Sequence, residues 1–221
     1  MMKYIFPKTL GLAVLILAFA GCNSNQKEKI LITYNSTLET PNGFNGRLLL
    51  LMSKDSTSEP RFQINDSDQT AIVFGVDVSN WKANTPWIIN SETFAYPTEQ
   101  VSNIPPGKYF VQALLHKYDT FELSNGHTVQ LPMDQGEGQH WNISPKNIYS
   151  KPQLLEFSKG GFSSPIEITE EIAPIAAVED SEYIKHIKIK SELLSEFWGK
   201  PMYLQANVLL PHDFNEKTEA R

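Results

Sequence analysis

The sequence has a single cysteine, Cys22, among 221 residues. No intramolecular disulfide can form, so the fold must stand on its core alone. Basic residues are also few: 19 Lys and Arg against 25 Asp and Glu, a net charge of −6. That balance has no electrostatic footprint for nucleic acid. It is equally unsuited to peripheral binding on anionic lipid. Catalytic signatures are missing too. The nearest approach to a Gly-x-Ser-x-Gly elbow is Gly161-Phe162-Ser163-Ser164-Pro165. Proline stands there in place of the second glycine that the tight elbow needs. Gly136-Glu137-Gly138 sets an acid where a phosphate would be repelled, and no Gly-Lys-Ser/Thr follows. The five histidines form no i, i+4 helical pair, and there is no cysteine pair to build a zinc site. Catalytic residues, metal and cofactor are all expected to be absent from this chain.

What is present begins at the N-terminus. Lys3 and Lys8, with no acid, form a positive start. An apolar run from Leu10 to Ala20 follows, broken only by Gly11, and leads to Ala20-Gly21-Cys22. This is the layout of a secretion signal, and the run falls short of the about 20 apolar residues that span a bilayer. Small residues before a cysteine resemble the bacterial lipobox, although Phe19 replaces the usual leucine. The expected processing removes residues 1–21 and lipidates Cys22, which also accounts for the lone thiol. Two or more acyl chains would anchor the protein stably. The mature chain would carry a charge of −8, since the signal holds two lysines and no acid. Asn23 follows the cysteine where aspartate would favour inner-membrane retention, so the expected location is the outer membrane of a bacterial envelope.

Residues 22–28 are polar and read as a tether. Beyond them, short apolar runs rich in β-branched and aromatic residues alternate with Pro, Gly, Asn and Ser. The runs are 30–34, 47–52, 71–78, 87–89, 108–118, 128–131, 154–157, 166–168, 183–189 and 202–210. This pattern predicts an all-β fold, an immunoglobulin-like antiparallel β-sandwich over residues 29–170. Tyr109, Val111, Ala113 and Leu115 share one face, with Gln112 and His116 opposite, towards solvent. Leu48–Leu51 is continuous, as in a strand covered on both faces. Ile104-Pro105-Pro106-Gly107-Lys108-Tyr109 looks like a tyrosine corner, in which the phenol bonds back to backbone near the turn. An acidic linker is expected at 171–182. A short C-terminal strand and helix extension follows at 183–221. There Ser191 offers an N-cap and Gly199 a C-terminal stop, with a strand end and bulge as the alternative for the same segment.

Candidate ligand contacts are aromatic and polar. Asp134-Gln135-Gly136-Glu137-Gly138-Gln139-His140-Trp141 carries groups able to hold a cation or a sugar. Trp81 and Trp141 lie among polar residues and could stack on sugar faces, whereas Trp87, before Ile88-Ile89, reads as buried. Trp81, Trp141 and His140 are therefore the candidate binding residues.

Several segments occur in a familiar order: Gly46-Arg47-Leu48-Leu49-Leu50-Leu51, then Phe74-Gly75-Val76-Asp77-Val78-Ser79-Asn80-Trp81. The 104–113 turn and strand follow, then Asn147-Ile148-Tyr149-Ser150, then Ser191-Glu192-Leu193-Leu194 through Pro201 to Val208-Leu209-Leu210-Pro211. Together they resemble the N-terminal part of secreted enterochelin-esterase-like proteins of the α/β-hydrolase group. The resemblance covers most of residues 44–214. It implies a non-catalytic sandwich module ahead of a hydrolase domain, of which 183–221 would be an incomplete start. It supplies no catalytic residue to this chain, and His212 lies too early to be a triad histidine. The expected partners are the membrane, through Cys22, and a hydrolase domain or another envelope component. A stand-alone glycan- or peptide-binding lipoprotein is the alternative, and an active esterase the second.

Overall fold

The computed structural model describes residues 29–214, apart from 39, 159, 160, 177 and 213. The signal, Cys22 and the whole tether lie outside the described residues. In chain order the strands are β1 (Ile30–Tyr34), β2 (Phe44–Ser53), β3 (Ile72–Trp81), β4 (Trp87–Ile89) and β5 (Phe94–Tyr96). Next come β6 (Gly107–Lys117), β7 (Asp119–Glu122), β8 (Thr128–Leu131), β9 (Ile148–Tyr149) and β10 (Gln153–Phe157). The last are β11 (Ile166–Ile168), β12 (Glu170–Glu171), β13 (Ile184–Lys190) and β14 (Tyr203–Leu209), with helix α1 (Glu192–Trp198) between the final two.

The fold is all-β and sandwich-like. A three-stranded sheet, ordered β11-β1-β4, has β1 antiparallel to β4 and parallel to β11. The larger sheet runs β12-β9-β6-β2-β3-β5, with β10 also paired to β6. Period-two alternation sends one side of each strand inward. From β1 come Ile30, Ile32 and Tyr34; from β2, Leu48, Leu50 and Met52; from β6, Tyr109, Val111, Ala113 and Leu115. These meet Phe74, Val78, Trp81, Ile166 and Ile168 in one buried cluster.

The bond expected at the 104–109 turn is present: the Tyr109 hydroxyl donates to the Pro105 carbonyl at 2.8 Å. Removing it with Tyr109→Phe is expected to cost about 0.5–1.5 kcal/mol, because the ring stays buried and only the hydrogen bond goes. Urea denaturation checks this, and an unchanged midpoint would deny the corner any role in stability.

The outer face of β6 departs from the solvent face expected for it. Gln112 and Leu114 are fully buried and His116 is half-buried. The turn Pro60–Phe62 and the loop 134–147 lie over this side. Arg61 N–H donates to Gln112 Oε1 at 3.1 Å, and Arg61 and Asn142 exchange bonds with each other's carbonyls at 3.2 and 3.3 Å. The same cover explains the unbroken apolar run of β2, where Leu51 is buried on the outer side.

Strand β12 carries the large sheet to Glu171, and Ile172 exchanges backbone bonds with Lys146 and Asn147 at 2.8 Å each. The described residues beyond, as far as β13, are irregular. Residues 192–198 are helical rather than a bulged strand end. The Ser191 hydroxyl accepts from Leu194 N–H at 3.3 Å, and Gly199 closes the helix in the left-handed region with φ 65°.

Candidate functional site

Two surfaces of the molecule lack the cover that their chemistry calls for. The first is the outer face of the large sheet beside the loop. Residues directly opposite in an antiparallel ladder share a face. One row therefore runs His116, Arg47, Asp77 across β6, β2 and β3; the next runs Leu114, Leu49, Gly75, Phe94 and reaches β5. The loop covers the β6 end of these rows and leaves the β3–β5 end open. A groove of about 280 Å³ remains, lined by Leu49, Val73 and Gly75, by Phe94 and Trp141, and by Arg47 and His116 at one end.

The loop holds itself in place with its own acids. Asp134 Oδ1 accepts from Gly136 N–H and Gly138 N–H, at 2.8 and 3.3 Å. Buried Glu137 accepts from Gln135 N–H at 2.7 Å and from the Ser144 hydroxyl at 2.8 Å. Asn147 donates to the Trp141 carbonyl at 2.8 Å and accepts from Lys117 N–H at 2.9 Å. These carboxylates brace the loop that carries Trp141. Among the described residues no three His, Cys, Asp or Glu side chains gather as a metal would need.

The second surface is the antiparallel ribbon of β13 and β14. Its register puts Ile187 opposite Ala206, Ile189 opposite Leu204 and Lys185 opposite Val208 on one face. Ile189 and Leu204 are 58% and 56% exposed there. A hollow of about 490 Å³ beside the ribbon is lined by Ile175, Val178, Ile187 and Ala206 among others. The ribbon is tied to the rest of the chain at α1, where Trp198 packs edge-on against Phe121 at 4.9 Å and Lys200 bonds Asp119 at 3.2 Å.

No protein-family model, curated protein or solved structure matches the chain. The residues themselves must carry the functional reading.

Of the three candidate binding residues, the structure brings one to a groove. Trp141 lines the outer-face groove. His140 is exposed on the same loop and does not line it. Trp81 is a core residue, which corrects its candidacy. It ends β3 with its ring edge-on to Tyr34 at 4.9 Å and to Trp87 at 6.3 Å, and its indole N–H donates to the Thr85 carbonyl at 2.8 Å. No ring face is left for a ligand. The sequence reading missed Phe94, Arg47 and Gly75. Gly75 carried the usable signal, because a glycine inside a strand often marks a close approach. A Cβ there would sit 3.0 Å from the Arg47 guanidinium, so its absence lets that side chain lie flat across β3.

Burial holds the His116 imidazole below its ordinary pKa of 6.5, and the Glu137 charge partly offsets this. Arg47 faces it across the ladder, and Tyr118 meets it edge-on at 5.5 Å. As the pH falls below that ordinary value, the unfolded chain takes up the proton first. Stability is therefore full above it and declines as the pH drops towards the folded value. Denaturant midpoints at about pH 7.5 and about pH 5.5 should fall further for the wild type than for His116→Gln. Equal falls would remove His116 as the source.

Proposed function

We propose that this protein is a non-catalytic β-sandwich module, anchored by lipid at Cys22 to the bacterial envelope, that docks a hydrolase domain. The observation that carries the docking is the open apolar face of the β13–β14 ribbon. A two-stranded ribbon is marginal on its own and gains stability from more strands or a packed layer. This one presents Ile187, Ile189, Leu204 and Val208 in a row, beside a sandwich whose own core is complete. Apolar rows of this kind mark interaction surfaces. The resemblance of residues 44–214 to enterochelin-esterase-like proteins supplies the identity of the covering layer, a parallel sheet of the α/β-hydrolase type. The absence of an elbow serine from the sequence supports a supporting role rather than a chemical one.

Purified residues 22–221 should hydrolyse p-nitrophenyl acetate no faster than buffer, and turnover above that rate would overturn the non-catalytic reading. The ribbon gives a second test. Ile189→Lys with Leu204→Glu should change stability by no more than about 0.5 kcal/mol, as for exposed sites, while reducing binding of a hydrophobic dye. A loss of 2 kcal/mol or more would mean that the face is already covered within this chain. For the anchor, labelled fatty acid should enter the wild type during growth and fail to enter Cys22→Ala.

A further inference from the structure

The outer-face groove has the chemistry of a saccharide site. We propose that it binds a neutral sugar ring, stacked between Phe94 and Trp141 with its hydroxyls at Arg47 and Asp77. This inference is independent of the hydrolase reading, since it uses none of the ribbon.

The groove is a built hollow rather than a gap between loops. Its floor is the sheet itself, Leu49 and Val73, with the Arg47 guanidinium lying over Gly75. One wall is Phe94, directly opposite Gly75 in the β3–β5 register and 64% exposed. The other wall is Trp141, whose backbone the clamp around Glu137 and Asn147 fixes. Two aromatic side chains lining one apolar hollow suit a flat ligand with an apolar face. A freely exposed phenylalanine on a strand otherwise costs solvation and contributes no packing.

The polar end decides between ligand classes. Arg47 Nη1 donates to Asp77 Oδ1 at 2.8 Å, so the two formal charges cancel. An anionic ligand would have to displace Asp77 from Arg47, and a cationic one would meet the guanidinium. A neutral ligand with vicinal hydroxyls meets neither cost. Each hydroxyl both donates and accepts, and the pair offers guanidinium N–H donors beside carboxylate acceptors. Tyr118 adds a phenol close enough to Asp77 and Arg47 to feel both charges. An apolar floor with a few converging polar groups is the usual make-up of a small-ligand site. A sugar ring has this division, with C–H groups on its faces and hydroxyls round its rim.

The test is titration of the full mature chain by 15N NMR, observing the indole N–H of Trp141. The probes are neutral trisaccharides of α-linked glucose, β-linked glucose and galactose, with hexanoate and a neutral apolar tripeptide as rivals. At least one trisaccharide should shift Trp141 and leave the buried Trp81 unmoved. Phe94→Ala should weaken that response about tenfold or more, and its exposure spares the fold. Gly75→Val should abolish the response by displacing the Arg47 guanidinium that lies over Gly75, and its folding is checked by the unchanged Trp81 signal. If Gly75→Val fails to fold, Arg47→Met with Phe94→Ala makes the same comparison. No shift with any trisaccharide overturns the proposal. So does a shift that survives Phe94→Ala unchanged, or a response to hexanoate or the tripeptide alone.

Discussion

Truncating Trp81 to alanine should remove about 3–5 kcal/mol of stability, the range for large aromatic side chains in well-packed cores. The ring is 2% exposed, between Tyr34 and Trp87, and its N–H bonds the Thr85 carbonyl at 2.8 Å. Its backbone carbonyl accepts the Tyr34 hydroxyl at 2.8 Å, so loosening the end of β3 also disturbs a buried phenol. Tyr34 in turn meets Phe44 edge-on at 5.0 Å. The change therefore touches both sheets at once, because Tyr34 belongs to β1 and Trp81 to β3. Urea denaturation gives the loss directly. A loss under about 1 kcal/mol would place the ring outside the core and return Trp81 to the list of ligand contacts. Trp141→Ala offers the contrast. Its ring is half-exposed over the groove, so it should cost less stability.

Trp81 also shows where the sequence is legible and where it is not. Each of the apolar runs beyond the tether became a strand, because alternation and β-branched content are local properties of the chain. The turn closed by the Tyr109 bond to Pro105 was legible for the same reason: its proline, glycine and tyrosine sit within five residues. Trp81 was misleading because its neighbours Asn80 and Lys82 are polar, yet it closes β3 with its side chain inward. Polarity of neighbours reports the local surface, whereas burial of one ring depends on β1, 47 residues away. Strands β5, β7, β9 and β12 are two to four residues long, too short for a period to register. Phe94 and the groove wall were lost with β5. The outer face was misassigned for a related reason. A lone β6 reads as half-wet, and the turn at Pro60–Phe62 together with the return of loop 134–147 makes it dry.

The functional reading follows the same division. The lipobox-like run before Cys22 and the missing elbow are local patterns, so such proposals can be read without a fold. The open ribbon face is a tertiary property. The alternation of β14 indicates an apolar face, but only the structure leaves that face bare. The groove needs four strands in register before its parts meet, since Arg47, Gly75, Phe94 and Trp141 are spread over 95 positions of the chain.

Gln112→Ala should cost about 2–4 kcal/mol, although the alternation of β6 marks this residue as a solvent position. Gln112 is 0% exposed. Its amide donates to Glu59 Oε2 at 2.8 Å and to the Ser150 carbonyl at 3.0 Å, and its oxygen accepts from Arg61 N–H at 3.1 Å. Removing it strands three polar groups and leaves a void against Leu51. Each orphaned group costs about 1–3 kcal/mol when buried, and the losses overlap because Glu59 and Arg61 also pair with each other at 2.8 Å. Gln112→Leu restores volume and none of the bonds, so it should recover only the part due to the void. Hydrogen exchange at Arg61 N–H should speed up in both variants, and a stability loss under about 0.5 kcal/mol in Gln112→Ala would sink the account. The consequence reaches the groove. Arg61 holds Asn142, and Asn142 follows Trp141, so the aromatic wall hangs from this network. Gln112→Ala should therefore weaken the saccharide shift at Trp141 without removing any group that lines the groove. An unchanged shift would mean that the Glu137 and Asn147 clamp fixes Trp141 unaided.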